Sequence, residues 1–137
     1  MLKERFSQYV IFKKRKDGGL ESTVTGYWFI ESKKFFSILL LKFEGKSREA
    51  FHTHAFNCFS IVLKGKITET MLSGSVRTYS IWDGVFFTYR DTFHKVDSDG
   101  TSIILNFRGP WVDKWKEFLP GTNRYLTLTH GRKVVSD

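Results

Sequence analysis

The segment Phe51-His52-Thr53-His54-Ala55-Phe56-Asn57-Cys58-Phe59-Ser60-Ile61-Val62-Leu63-Lys64-Gly65 reads as an extended stretch that ends in a Lys-Gly turn. Side chains alternate between faces along a strand, so His52 and His54, two residues apart, project to the same side. Continued alternation places Phe56, Cys58, Ser60 and Val62 on that side and packs Phe59, Ile61 and Leu63 on the other. Two imidazoles so placed can bind one transition metal, at about 2.0–2.1 Å per nitrogen. A third ligand has to come from a different strand, and His94, beyond two predicted hairpins, is the natural candidate. The fourth histidine, His130, falls in the C-terminal tail.

The flanking sequence has the texture of short strands punctuated by turns. After Lys64-Gly65-Lys66 come strands over residues 67–72, 76–81 and 85–89, separated by Ser73-Gly74-Ser75 and Trp82-Asp83-Gly84. The turn Asp97-Ser98-Asp99-Gly100 leads into a strand over 101–107. On the N-terminal side, residues 6–13 and 23–31 flank Asp17-Gly18-Gly19 as a hairpin, and 35–43 is a strongly apolar strand before a polar loop over 44–49. Turns spaced about 8–12 residues apart predict an antiparallel sandwich or small barrel. One helix is expected: Pro110 suits a first turn, and Trp111, Trp115, Phe118 and Leu119 fall on one face before Pro120-Gly121. It would pack on the barrel as a cover, followed by a last strand over 124–129 and a loose basic tail. The whole chain, 1–137, is expected to be one all-β domain, with its core over about residues 20–110 and a cover and tail over 111–137.

Composition agrees. The 137 residues are 41% hydrophobic and 17% aromatic, including 14 Phe, which supports one packed core and excludes global disorder. Only 2 Pro exclude a proline-rich linker, and the single cysteine, Cys58, excludes an internal disulfide. Residues 1–10 mix Lys3, Glu4 and Arg5 among apolar side chains, unlike a signal peptide. The longest nearly apolar run, 35–41, falls far short of the roughly 20 residues a membrane helix needs. A soluble cytoplasmic protein with no membrane partner is expected. Against 14 Asp+Glu stand 22 Lys+Arg, a net charge of +8 that attracts anions: nucleic acid or small phosphorylated or carboxylated molecules. The densest cluster, Lys13-Lys14-Arg15-Lys16, reads first as a solvated hairpin tip, with a binding patch as the alternative.

The segment 51–65 resembles the first motif of the cupin superfamily, which has a glycine, two His one residue apart, a Glu three or four residues on and a Gly seven further. His52, His54 and Gly65 match at that spacing; Gly45 lies one residue too far upstream, and Cys58 occupies the Glu position. In the second motif His94 matches, while Tyr89, Asp91 and Ser98 replace its Pro, Gly and Asn and Gly84 is one place out of register. The resemblance implies an antiparallel double-stranded β-helix, or jelly-roll barrel, holding one divalent metal on His52, His54 and His94. Iron comes first, with Zn, Mn or Ni as alternatives; a metal-free histidine cluster is the other outcome, since many cupin-like domains have lost their ion. Cupins commonly pair through apolar strands, so a homodimer is expected.

The absent carboxylate changes the chemistry. Two His and a carboxylate form the open site of non-haem iron oxygenases. Three neutral imidazoles would leave the ion its full charge, which favours an anionic co-ligand, and Cys58 is a further candidate ligand. Cys58-Phe59, Gly65 and Thr68-Glu69-Thr70 together look like the corresponding region of cysteine dioxygenase, in which three His hold iron and a Cys is cross-linked to a Tyr. The place of that Tyr holds Arg108 here. A buried, unreactive thiol is the other reading of Cys58. The run His54 to Ser60, with Gly109-Pro110 and the Trp-rich stretch after it, is also similar to small cupins of uncharacterised chemistry.

Arg108 and Asn106 share one face of the strand ending at 108; either that face lines the barrel, where Arg108 would fork onto a carboxylate or phosphate, or it is simply solvated. Arg90 and Tyr89 are further substrate-binding candidates, with Arg77 and Tyr79 behind them. There is no phosphate-binding glycine loop, Cys-x-x-Cys pair or usable Ser-His-Asp arrangement. The expected function is a metal-dependent enzyme acting on a small anionic molecule, with dioxygenase-type oxidation as the reaction. The alternative is a non-catalytic barrel that captures an anionic metabolite or nucleotide, and nucleic-acid binding is a minor third.

Overall fold

In a computed structural model, residues 10–17, 23–45, 51–118, 124–129 and 133–136 are described. The strands are β1(Val10–Lys16), β2(Val24–Glu31), β3(Ser37–Glu44), β4(Cys58–Lys64), β5(Ile67–Met71), β6(Val76–Tyr79), β7(Val85–Thr88), β8(His94–Ser98), β9(Thr101–Arg108), β10(Trp115–Phe118), β11(Tyr125–Thr129) and β12(Lys133–Ser136). A six-stranded sheet runs β1-β2-β3-β9-β4-β7, and two three-stranded sheets run β6-β5-β8 and β10-β11-β12. Every pairing among the described residues is antiparallel.

Period-two patterning sets the layers. Along β3, Ser37, Leu39, Leu41 and Phe43 are buried and the residues between them half-buried; along β9 the buried set is Ser102, Ile104, Asn106 and Arg108. Unbroken register from Ser37↔Arg108 to Glu44↔Thr101 aligns these inward faces side by side. Trp28, Leu39, Leu41, Phe43, Val62, Ile67 and Ile104 form an apolar core, of which Leu41, Phe43, Ile67 and Ile104 also line one end of the cavity that opens between the six-stranded sheet and β5 and β8. At the other end of the cavity the inward residues turn polar.

Gly65 turns the chain from β4 to β5 at φ +80°. A Cβ there would meet Ser102 Oγ at 2.5 Å and the Thr101 carbonyl at 2.7 Å, so both the backbone angle and the close approach require glycine.

Several expectations need correction. Residues 110–118 form no helix: the segment is extended and includes β10. Its backbone bonds to distant chain instead, with Trp111 N–H on Lys33 O at 2.7 Å, Val112 N–H on Ala55 O at 2.6 Å and Phe118 N–H on Phe51 O at 2.7 Å. The covering role stands, because Trp111, Val112 and Trp115 pack on buried Ala55, Phe56 and Cys58. β8 runs through Asp97 and Ser98, where a turn was predicted, and β12 lies in the supposedly loose tail. Trp82-Asp83 belongs to a single 3-10 turn, Ile81–Asp83, capped by Ser80. His130, Leu119 to Gly121, Gly18-Gly19 and residues 6–9 of the first predicted strand lie outside the described residues. Among those described, no helix is long and apolar enough to cross a membrane.

Candidate metal centre

His52 and His94 are antiparallel partners in an isolated bridge, exchanging N–H···O bonds of 3.0 and 3.1 Å. Directly opposed residues send their side chains to the same face. His54, two residues on, joins them there and is anchored by its N–H to the Arg90 carbonyl at 3.0 Å. The three ring centroids are 4.8–5.1 Å apart. One nitrogen from each ring lies within 4.8 Å of the others, close enough for a single ion to reach all three.

The two ring nitrogens His54 Nδ1 and His94 Nε2 are buried and have no hydrogen-bond partner. An unmet buried polar atom costs about 1–3 kcal/mol, so two of them aimed into one cluster fit residues built to receive an ion. Burial, then the neighbouring imidazoles and the Arg108 guanidinium, push His54 well below the ordinary histidine range. It is therefore the neutral ligand form at pH 7, stacked on Phe56 at 5.2 Å. His94 Nδ1 lies 2.7 Å from Glu69 Oε2, and both side chains are buried.

The cavity beside the histidines is about 450 Å³ and is walled by Phe56, Trp111, Trp115, Asn106 and Arg108. Asn106 and Arg108 do share the inward face of β9. Asn106 Nδ2 donates to Ser60 Oγ at 2.7 Å, and Arg108 Nε donates to Asn106 Oδ1 at 2.7 Å. The guanidinium lies over the Phe56 ring at 4.4 Å. Arg108 is not an open anion clamp, however. Its Nη2 and Nη1 donate to the two oxygens of Asp17 at 2.7 and 3.3 Å. Although burial favours the neutral acid, the Arg108 guanidinium wins and holds the Asp17 carboxyl below its ordinary value.

Cys58 lines the cavity but is not in the converging ligand set. The expected alternation from His52 does not reach it as one strand, because β4 begins only at Cys58 and residues 53–57 are irregular. Burial raises its thiol pKa against the smaller opposing effects of Asn106, Arg108 and Thr88. Its partners across the sheet are Arg108 on β9 and Thr88 on β7. Tyr89 and Arg90 lie outside the cavity: Tyr89 is 66% exposed with its ring on Phe87, and Arg90 is exposed with its backbone N–H on Asn57 Oδ1. Arg77 is exposed on β6, and half-buried Tyr79 stacks on Phe86 at 4.0 Å.

The structure brings two further residues, Glu69 and Asp17, to the site. Glu69 carried a faint sequence signal, an acid at the core-facing position of β5 two residues after buried Ile67. Asp17 carried none, since a turn aspartate ordinarily serves its own turn.

No protein-family model matches the sequence, and no curated protein matches it. Solved structures do. The polyketide cyclase RemF from Streptomyces resistomycificus superposes with a TM-score of 0.65 at 13% identity, over 82% of this chain and 83% of that one. A sugar phosphate isomerase of the cupin superfamily from Silicibacter pomeroyi gives 0.60 at 11% identity, over 88% and 85%. FeII HppE gives 0.58 at 15%, over 72% and 59%. The chain has the cupin fold.

Proposed function

We propose that this cupin-fold barrel is a metal-dependent enzyme that acts on a small molecule bound beside His52, His54 and His94. The observation that carries the reading is the convergence of His52, His54 and His94, one ring nitrogen of each within 4.8 Å of the others, with His54 Nδ1 and His94 Nε2 buried and without a hydrogen-bond partner. Iron is the first choice of ion, in line with the fold neighbour HppE described as its FeII form; Zn, Mn and Ni suit the same donors. A bound ion would supply open coordination positions and Lewis acidity, and iron would add redox chemistry, so an oxidation is the reaction proposed.

The chain's own residues supply the rest. Phe56, Trp111 and Trp115 wall the cavity with aromatic surface that excludes water from the reacting end. The Arg108–Asp17 pair, braced by Asn106 and Ser60, forms a rigid polar wall. An anionic group of the substrate then belongs at the ion, where the three imidazoles leave positive charge uncompensated, and its apolar body belongs against the aromatic wall. The rival reading is a non-catalytic barrel that captures an anionic metabolite or nucleotide, with the histidines contributing hydrogen bonds; the Asp17 carboxylate on Arg108 leaves that guanidinium less open to such an anion.

Elemental analysis of untagged protein tests the proposal. About one equivalent of transition metal in the wild type, lost in the His52→Ala/His54→Ala variant, supports it. Wild-type protein that stays metal-free after incubation with Fe²⁺, Zn²⁺, Mn²⁺ and Ni²⁺ overturns it.

A further inference from the structure

We infer that Glu69 is the positioning residue of this centre, accepting the Nδ1 proton of His94 so that Nε2 is left as the ligand lone pair. The inference rests on the reading of His52, His54 and His94 as metal ligands. β5 pairs with β8 in register, with Met71 opposite His94 and Glu69 opposite Val96, so Glu69 and His94 sit diagonally on neighbouring strands. Both point into the barrel, at 4% exposure each. A buried carboxylate is costly unless it is hydrogen-bonded, and here the 2.7 Å contact to Nδ1 supplies that bond.

The hydrogen bond made by one ring nitrogen fixes what the other can do. A carboxylate only accepts, so Nδ1 carries the proton. In the neutral imidazole Nε2 is then the acceptor, and it is buried without a hydrogen-bond partner. The same contact raises the basicity of the ligand nitrogen and brings one negative charge next to the site. The first cupin motif places a carboxylate directly on the metal, and in this chain Cys58 occupies that position. Glu69 lies outside the converging donor set, so its charge acts through His94 rather than on the ion.

Two measurements test this, using Glu69→Ala and Glu69→Gln in the full chain. The first is the long-range ¹H–¹⁵N imidazole spectrum of the metal-free protein. The wild type and Glu69→Gln, whose amide oxygen still accepts, are expected to carry the His94 proton on Nδ1; Glu69→Ala is expected to move it to Nε2. The second is Co²⁺ affinity by chelator competition, expected to weaken about 10–100-fold in Glu69→Ala, with most of the loss recovered in Glu69→Gln. A wild-type His94 protonated on Nε2, or Glu69→Ala binding Co²⁺ as tightly as wild type, overturns the inference while leaving the metal centre standing. Wild-type protein that binds no Co²⁺ removes the metal reading instead, and the spectrum still decides whether Glu69 holds the tautomer.

Discussion

Replacing Asp17 by alanine tests the charge pairing at the cavity wall, Arg108 with Asp17. The change leaves Arg108 with the Asn106 oxygen on Nε and the Phe56 face beneath it, but Nη1 and Nη2 lose the acceptors at 3.3 and 2.7 Å. Removing one partner of a fully buried ion pair costs about 3–5 kcal/mol, whereas exposed pairs contribute about 0–1 kcal/mol. The Arg108 side chain is 4% exposed and that of Asp17 30%, so the pair falls between these limits, nearer the first. A loss of about 2–3 kcal/mol follows, or a fall of roughly 6–10 °C in Tm for a domain of this size.

The pH dependence has a definite sign. Because the folded pKa of Asp17 lies below 3.8, its stabilisation is present above that value and disappears as the pH falls through the folded value. The gap between wild type and Asp17→Ala, measured by denaturant unfolding, should therefore be full at pH 7 and shrink in acid below about pH 3.8. Arg108 also becomes available to external anions in the variant. Phosphate at ten times its Kd should restore about 1.4 kcal/mol to Asp17→Ala and leave the wild type unmoved. Equal stability of the two proteins at pH 7, or a gap that persists unchanged at pH 2, would refute the reasoning.

Gly65→Ala should cost roughly 2–4 kcal/mol, from the left-handed φ of +80° and the 2.5 and 2.7 Å contacts onto Ser102 and Thr101; Gly74→Ala, at φ +96° in open space, should lose only about 1–2 kcal/mol. Equal losses in thermal melts would show that the close approach at Gly65 carries no energy. Cys58, 7% exposed with its thiol pKa raised by burial, should not react with an aromatic disulfide reagent at pH 8 until the protein is unfolded. Rapid labelling of the native protein would contradict its placement. The outer face of the six-stranded sheet presents Phe59 stacked on Phe107 at 4.8 Å, with Leu63, Val85 and Phe87 exposed. Pairing of two chains through this face predicts a sedimenting mass of twice 16.0 kDa that Phe107→Glu halves; a wild-type monomer would remove the expectation.

Legibility in the sequence followed locality. The strand predicted over 101–107 matches β9 to within one residue, because clean alternation starts at an Asp-Gly turn. β8, His-Lys-Val-Asp-Ser, is too short and polar to announce itself, and its inward residues are a histidine, a single valine and a serine. The helix prediction failed where i, i+4 spacing of Trp111 and Trp115 imitated a helical stripe. The Trp111 ring meets Phe56 and the Trp115 ring meets Trp111, from an extended chain whose amides are bound to residues 33, 51 and 55. Non-local backbone bonds outweighed local periodicity there. The same distinction runs through the site. His52 and His54 are legible from their spacing, whereas Glu69 lies 25 residues from His94 and Asp17 lies 91 from Arg108, separations only the register of the sheets can bridge.

That register also explains why the segment that carries His52 and His54 follows a fixed path although it belongs to no regular strand. His52 is bridged to His94 on one side and to Glu117 on the other. Thr53 N–H donates to the Lys116 carbonyl at 2.8 Å, and the Thr53 hydroxyl accepts from Lys116 N–H at 2.8 Å. Residues 52–55 are thus held between β8 and the cover segment over 111–118, like the middle strand of a short sheet. A donor set has to be positioned to within about half an ångström to be preorganised, and a backbone fixed along both edges meets that demand better than a free loop. The cover segment therefore does more than shield an apolar surface. It fixes the outer edge of the chain that carries two of the three imidazoles, while β8 brings the third imidazole to the inner edge.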